Sequence, residues 1–542
     1  MEPSEEYQQL AREILLLGAA QDEDPGGTAS AVRALVSQVE QTAIVVERAA
    51  LLFMCSSVVI NCGSRLDSEP LLQAGKQIAE GALDGTPEDE PLRFQILYNI
   101  ANAISALADM GLEGGENAET AVHRVANRLD NRAALRAARL YYYEVATSEI
   151  ADASTRSRAF CNLANSLDHS GRWAEAFDYY LSALDVDPRN GNAAGNLARL
   201  LLTRIELGIG QTGHIAAVYD KYVNLAKQLR AGTVEYAGAS TAERWDALEL
   251  TESEGHLSHG LDGPPDAYRS WVAGHRLALS PAVEGLGTDD PHWDNAVIEV
   301  LYGGPDDDIN PPIIAHMNVL KADFLVSRRL AFEGVSEILS SGLVQLDSDT
   351  GFYVDAEDFS LFGTQYAKLI LAQRSTLDVL DKTAVVANEY FKIGDSPSSV
   401  SFRKFWHAGG VLRAGLAKAP EQAVPVLALA ELAMDMEPGG MYASSQILRN
   451  AGTHRIVHAA LLDATGATKQ SRSSVDVDGL VWSAIRALQV TRSAYLYLID
   501  LVATWNIPED HEGEYVQIPS LEYGALWSEP VGEGEAEPPA DL

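Results

Sequence analysis

From the N-terminus to about residue 245, apolar positions recur at the three- and four-residue spacing of amphipathic helices, with little proline and little β-branched alternation. The pattern predicts helix after helix. Between about 232 and 312 the texture changes: HGLDGPPDAY, GTDDPHWDN and YGGPDDDINPP are rich in Gly, Pro and Asp, and predict a loop-rich connector with short helices. Helical periodicity resumes at Ile313–Gly334 and continues through Leu361–Phe391, Ala423–Met436, Ser444–Leu462 and Val481–Trp505. The last stretch, Glu509–Leu542, has ten acidic residues and no Lys or Arg, and reads as a partly disordered, solvating tail. The expected organisation is therefore a helical repeat block at 1–231, a connector at 232–312, a second helical block at 313–508 and a tail at 509–542.

The first block contains an internal repeat, best seen in Ser157–Asn190. Small residues Ala164, Ala176 and Ala183 let two helices approach closely, Gly171 stands where the chain reverses, and Pro188 stops the second helix. With Leu163 and Tyr180 at their places, this stretch resembles a 34-residue tetratricopeptide repeat. A second unit opens on Asn196, Leu197 and Ala198, and Glu47–Leu83, Leu92–Leu129 and Ala133–Ser148 are weaker helical pairs of the same kind. A stacked array of this sort is by itself an interaction surface, so a protein partner on its groove is expected.

Composition narrows the function. Forty Lys and Arg against 77 Asp and Glu give a formal charge of −37, which opposes coating of nucleic acid or of an anionic membrane. It leaves room for a nucleic-acid enzyme with a local basic site. Cys55, Cys62 and Cys161 form no paired framework and fit a reducing compartment. The acidic N-terminus lacks the basic and apolar regions of a signal peptide, and the apolar run Ala49–Ile60 is too short to span a bilayer. A cytoplasmic protein without a membrane segment is expected. His256 and His259 lie three apart beside Gly255 and Gly260 with no third ligand at helical spacing, and Pro305–Asp308 lacks the pattern of a calcium loop. Neither a metal nor a cofactor is expected.

One hexapeptide carries chemistry: Arg449-Asn450-Ala451-Gly452-Thr453-His454. Metal-free RNA cleavage needs a group that moves a proton near neutral pH, the task of an imidazole, and a group that stabilises extra charge on phosphoryl oxygens, the task of a guanidinium. The RNA 2′-OH is the nucleophile. The surroundings are anomalous for so acidic a chain. Residues 441–474 hold Arg449, Arg455, Lys469 and Arg472 against Asp463, and residues 400–420 hold Arg403, Lys404, Arg413 and Lys418 with no acid. On a regular helix a five-residue step turns roughly 140°, so Arg449 and His454 would not share a face. Either Arg449 precedes a helix that Asn450 caps, or two copies meet across a two-fold axis and build a composite site.

The hexapeptide and several blocks in order resemble the HEPN family (higher eukaryotes and prokaryotes nucleotide-binding), in the bacterial branch with an RNxxxH motif. The blocks are Trp271–Leu279, Asn318–Gly334, Leu380–Gly394 and Val400–Trp406. The resemblance covers roughly residues 265–505 and implies an all-α chain: a tetratricopeptide-like solenoid followed by a four-helix bundle. It also implies a metal-independent endoribonuclease that acts as a homodimer, in a toxin or phage-defence role. Arg449 and His454 would be catalytic and Asn450 would orient them, while Asp381 and Lys382 match a recurrent structural pair. Ala451-Gly452-Thr453 departs from the acidic residue found before the His in that branch, which bears on how His454 is positioned. Arg403, Lys404, Arg413, Arg455 and His458 are the expected RNA-binding residues. Trp406 and His407 suit either base stacking or a cap on the bundle. The alternative from another class is a non-catalytic adaptor that binds protein partners or a nucleotide.

Overall fold

The structure, a computed structural model, describes residues 3–110, 125–208, 212–252, 266–280, 294–303, 312–342, 346–354, 359–408, 411–417, 423–443, 456–460, 472–506 and 516–519. Up to Asp246 it is a run of helices packed on their chain neighbours: α1 (Glu5–Ala19), α2 (Pro25–Val39), α3 (Val45–Arg65), α4 (Glu69–Asp84), α5 (Pro91–Asp109), α6 (Arg132–Thr147), α7 (Ala153–Asp168), α8 (Trp173–Val186), α9 (Gly191–Leu207), α10 (Thr212–Gln228), α11 (Arg230–Ala237) and α12 (Ala239–Asp246). Side-chain oxygens of Asp24, Asp152 and Asn190 accept backbone N–H groups at the starts of α2, α7 and α9. In the pair α7–α8, Ala164, Ala176 and Ala183 are fully buried, so the two helices meet at the short distance that small side chains allow. Gly171 closes the turn between them with φ of 76°, in the left-handed region.

Helix α3 is long and apolar enough to cross a membrane by length and composition alone. Its apolar face is occupied within the array, where Leu51, Cys55, Val59 and Cys62 are fully buried. Burial pushes the Cys55 and Cys161 thiols up to about 12, and raises Cys62 in the same direction. At pH 8 the thiolate fraction at the first two is therefore on the order of a thousandfold below that of a free thiol. A thiol reagent should leave all three cysteines unmodified in the native chain and titrate all three in denaturant, and fast native labelling would contradict the packing.

The described part of the connector after α12 contains the short helix α13 (Ala267–Gly274) and a strand that the sequence pattern did not include, β1 (Val300–Gly303). Between them Leu277, Leu279, Ala296 and Ile298 are buried, the Ala296 N–H donates to the Leu279 carbonyl at 2.9 Å, and Asp294 holds the buried Arg328 at 2.7 Å. These segments are a wall of the core, because two short apolar alternations fall among the turn residues. His256, His259 and Pro305–Asp308 lie outside the described residues.

The second block follows the chain through α14 (Pro312–Ser341), β2 (Ser360–Leu361), α15 (Thr364–Tyr390), α16 (Phe402–Phe405), β3 (His407–Ala408), β4 (Val411–Leu412), α17 (Ala423–Asp435), β5 (Ile456–Ala460), β6 (Arg472–Asp476) and α18 (Val477–Trp505). Helices α14, α15, α17 and α18 form a four-helix bundle, with α15 on α14 and both α15 and α17 on α18. Strand β5 lies between β2, to which it is antiparallel, and β6, to which it is parallel, with His458 opposite Ser474.

This small sheet corrects the expectation of a helix over Ser444–Leu462 at residues 456–460, the part of that range that is described. Ile456 and Val457 are β-branched, the run pairs with β6 throughout and with β2 at Ala459–Ala460, and Ala459 packs with Val335, Leu369 and Leu480 at one end of the bundle. The tail also departs from a purely solvating reading, since β7 (Val516–Pro519) pairs antiparallel with β1. The strands are two to five residues long, and the chain is all-α in class. One apolar cluster runs from Leu10 through Phe177, Phe324 and Val426 to Val502. The boundaries at 231 and 313 thus mark changes of sequence texture within a shared core.

Candidate active site

Arg449, Asn450, His454 and Arg455 lie outside the described residues, and the structure shows the frame on either side of them. Upstream, α17 ends at Asp435 and the chain turns through 436–443. The Tyr442 N–H donates to the Asp435 carbonyl at 2.8 Å, and the buried Tyr442 hydroxyl donates to Glu175 Oε1 at 2.6 Å. Downstream, β5 begins at Ile456, pairs along its length with β6, and pairs at Ala459–Ala460 with β2. In sequence the hexapeptide lies between the anchored Tyr442 and strand β5, which carries His458.

What anchors Tyr442 is a buried ionic network across the seam between the two blocks. Arg139 of α6 donates through Nε and Nη2 to Asp435 at 2.8 and 3.0 Å, and through Nη1 to Glu431 at 2.7 Å. Arg172, in the turn before α8, donates to Asp435 and, through Nε and Nη2, to Glu175 at 2.9 and 2.6 Å. Tyr497 of α18 donates to the same Glu175 at 3.1 Å. Burial pushes the Asp435 carboxyl up, but Arg139 and Arg172 outweigh it and hold it below the ordinary carboxylate range. Alongside, Asp500 of α18 accepts from Arg204 at 2.6 and 3.0 Å and from Trp173 Nε1 at 2.7 Å, with the guanidinium 4.1 Å from the indole ring centroid. Gly171 lies at the same seam: a Cβ there would fall 2.6 Å from Val424 Cγ1.

The frame contains a cation that the sequence reading passed over. Arg486, on α18, is half-buried, and its guanidinium donates to the hydroxyls of Tyr179 at 3.1 Å and Tyr143 at 3.1 Å. It lies 5.6 Å from the ring centroid of Tyr442, and no ion pair joins it to a described carboxylate. A guanidinium held by neutral hydroxyls keeps its charge available for a phosphate. The available signal was an arginine interrupting the run Ala484-Ile485-x-Ala487-Leu488.

The 400–420 window behaves differently. The Phe402 N–H donates to Asp381 Oδ1 at 2.9 Å, which fixes α16 on α15, and Lys382 pairs with Asp323 at 2.6 Å, so the Asp381–Lys382 pair ties elements together. Arg403 is half-buried and Lys404 exposed on α16, and neither forms an ion pair with a described residue. Arg413 is committed to Asp395 at 2.6 Å and lies over the Phe405 ring. Trp406 is fully buried, edge-on to Phe402 and Phe405, so it caps the bundle and offers no face to a base. From Leu369, against which Ala459 of the small sheet packs, to Asp381, helix α15 advances about 18 Å at ~1.5 Å per residue. The window and the strand carrying His458 therefore stand at separate stations along the bundle. Among the described residues no cluster of three His, Cys, Asp or Glu suits a metal ion.

Residues 305–504 match the family model described as LA2681-like HEPN. The match spans the bundle, the hexapeptide and the small sheet, and supports a C-terminal HEPN domain. No curated protein matches the chain.

Proposed function

We propose that the chain is a metal-independent endoribonuclease of the HEPN type. The observation that supports this most is that the matched region contains the Arg449–His454 hexapeptide, framed by Tyr442 and β5. His454 moves the proton of the 2′-OH or of the 5′ leaving oxygen, Arg449 stabilises the phosphorane, and Asn450 orients the pair. The 2′-oxygen attacks phosphorus, the bond to the 5′-oxygen breaks, and the products carry a 2′,3′-cyclic phosphate and a 5′-OH. Arg486 supplies a further positive charge beside the frame. Arg455 and His458 flank the reacting phosphate, and Arg403 and Lys404 hold the RNA further along the bundle. Two copies sharing a cleft would bring an Arg and a His together from both chains. The helical array would receive a partner or trigger, in a toxin or phage-defence role in the cytoplasm.

A non-catalytic adaptor is the second reading, and one observation favours it: Arg413, an expected RNA contact, is neutralised by Asp395. Incubation of purified protein with RNA in EDTA separates the two readings. Cleavage by wild type that His454→Ala removes supports the nuclease. Equal activity in both proteins, or a strict requirement for divalent metal, would falsify this mechanism.

A further inference from the structure

Within the N-terminal array, between α5, the helical segment 125–130, α6 and α7, lies a cavity of about 220 Å³. That is roughly seven waters at ~30 Å³ each, room for a charged group with a short organic body. Its buried base is Arg128, whose side chain is 1% exposed. This guanidinium is poorly held. Nη2 stands 3.2 Å from Asp109 Oδ1, Nη1 makes contacts of 3.4 Å to the Ser166 carbonyl and the Ser170 hydroxyl, and Nε has no partner. Arg139, on the neighbouring helix, instead has three nitrogens bonded to carboxylates at 2.7–3.0 Å. The Ser166 hydroxyl is likewise buried without a partner, and the Nδ2 of half-buried Asn165 makes one long contact of 3.5 Å, to Asn162 Oδ1. Under-bonded donors in a buried setting are costly, and here they line one open volume. The carboxylate present, Asp109, is 38% exposed and has His169 Nδ1 4.0 Å from its other oxygen.

We infer that this cavity binds a small organic oxyanion, a carboxylate or a phosphate ester, which replaces Asp109 on Arg128 and takes the Ser166 and Asn165 donors. A planar guanidinium with an unused Nε matches two oxygens of such a group. The site is also connected to the frame of the hexapeptide. Ser170 touches Arg128 on one side, and on the other donates to Glu431 of α17 at 2.6 Å, which in turn accepts from Arg139. An anion that draws Arg128 toward the cavity releases its weak contact with Ser170 and alters the support of α17, whose end leads into residues 436–443. The bound anion thereby acts as an effector of RNA cleavage. This regulatory half rests on the endoribonuclease reading, whereas the binding half does not.

Calorimetric titration of the full chain with glutamate, adenosine monophosphate and inorganic phosphate tests the site. Glutamate or the nucleotide should bind once per chain, at least tenfold tighter than inorganic phosphate, and the preferred probe identifies carboxylate or phosphate ester as the ligand. Asn165→Asp, which adds a repelling carboxylate but keeps Arg128, should weaken binding at least tenfold with the melting temperature unchanged. Ser166→Ala is a second, gentler variant with the same direction of effect. Hydrogen exchange over 423–443 should change on ligand addition in the wild type and not in Asn165→Asp. Absence of binding by all three probes at millimolar concentration, or binding indifferent to both variants, overturns the site. Binding with unchanged exchange over 423–443 overturns the coupling, whether or not the protein cleaves RNA.

Discussion

Asp435→Ala should destabilise the chain by about 3–5 kcal/mol, because it strands two buried guanidinium groups at once. Arg139 and Arg172 are both fully buried and share this carboxylate across the seam. Removing it leaves their charge to Glu431 and Glu175, each of which already serves one arginine. Calorimetry should show a lower melting temperature and a split transition, since the same residue joins the array to the bundle. Asp246→Ala is the control: its pair with Arg230 is 40–50% exposed and is worth under about 1 kcal/mol. Equal losses in the two variants would refute the role assigned to the seam. The network also sets an acid limit. The folded Asp435 carboxyl lies below its unfolded value of about 4, so its contribution is present above that pH and fades as the pH falls through the folded value.

His454→Ala should lower the rate of RNA cleavage by about 10²–10⁴, the usual contribution of a general acid or base. Arg449→Ala should cost about 10²–10³ through loss of charge stabilisation at the phosphorane. Because the two groups act on one transition state, the double variant should lose little more than the worse single one. Arg486→Gln belongs to a different class. Its guanidinium sits beside the frame on tyrosine hydroxyls, so the expected change is weaker RNA binding and a shallower salt dependence, with the 2′,3′-cyclic product retained. Single-turnover cleavage at two salt concentrations, in EDTA, reads all four proteins. A rise of activity only on adding Mg²⁺ would end the metal-free scheme.

The sequence disclosed what local pattern can encode. Ala164, Ala176, Ala183, Gly171 and Pro188 announced a helical pair, and the long periodic stretches of the second block became bundle helices close to their expected bounds. Strand β5 stayed hidden because five residues, Ile456–Ala460, are too few to separate periods of 2 and 3.6, and their partners arrive from 360 and 472. The connector hid for a related reason: Leu277 with Leu279, and Ala296 with Ile298, alternate over three residues at a time, amid turn-forming neighbours. The ionic seam was invisible in another way. Arg139 and Asp435 are 296 residues apart, and a charged residue in an amphipathic helix looks solvent-facing until its partner block is in place. The hexapeptide is an expectation drawn from residue types and lies outside the described residues, whereas Arg486, beside its frame, required the fold.

Gly171 bears on how freely the array could be rearranged. In an ordinary solenoid the turn glycine answers to its own repeat, so units are interchangeable and can be inserted, deleted or replaced by a consensus copy. Here the absent side chain also makes room for Val424 from the other block, 2.6 Å from where a Cβ would stand. The unit Ser157–Asn190 is thus keyed to one position. A copy moved elsewhere in the array would keep its turn and lose its fit, and because Arg139 before it and Arg204 after it also bond the other block, an insertion on either side would disturb the seam.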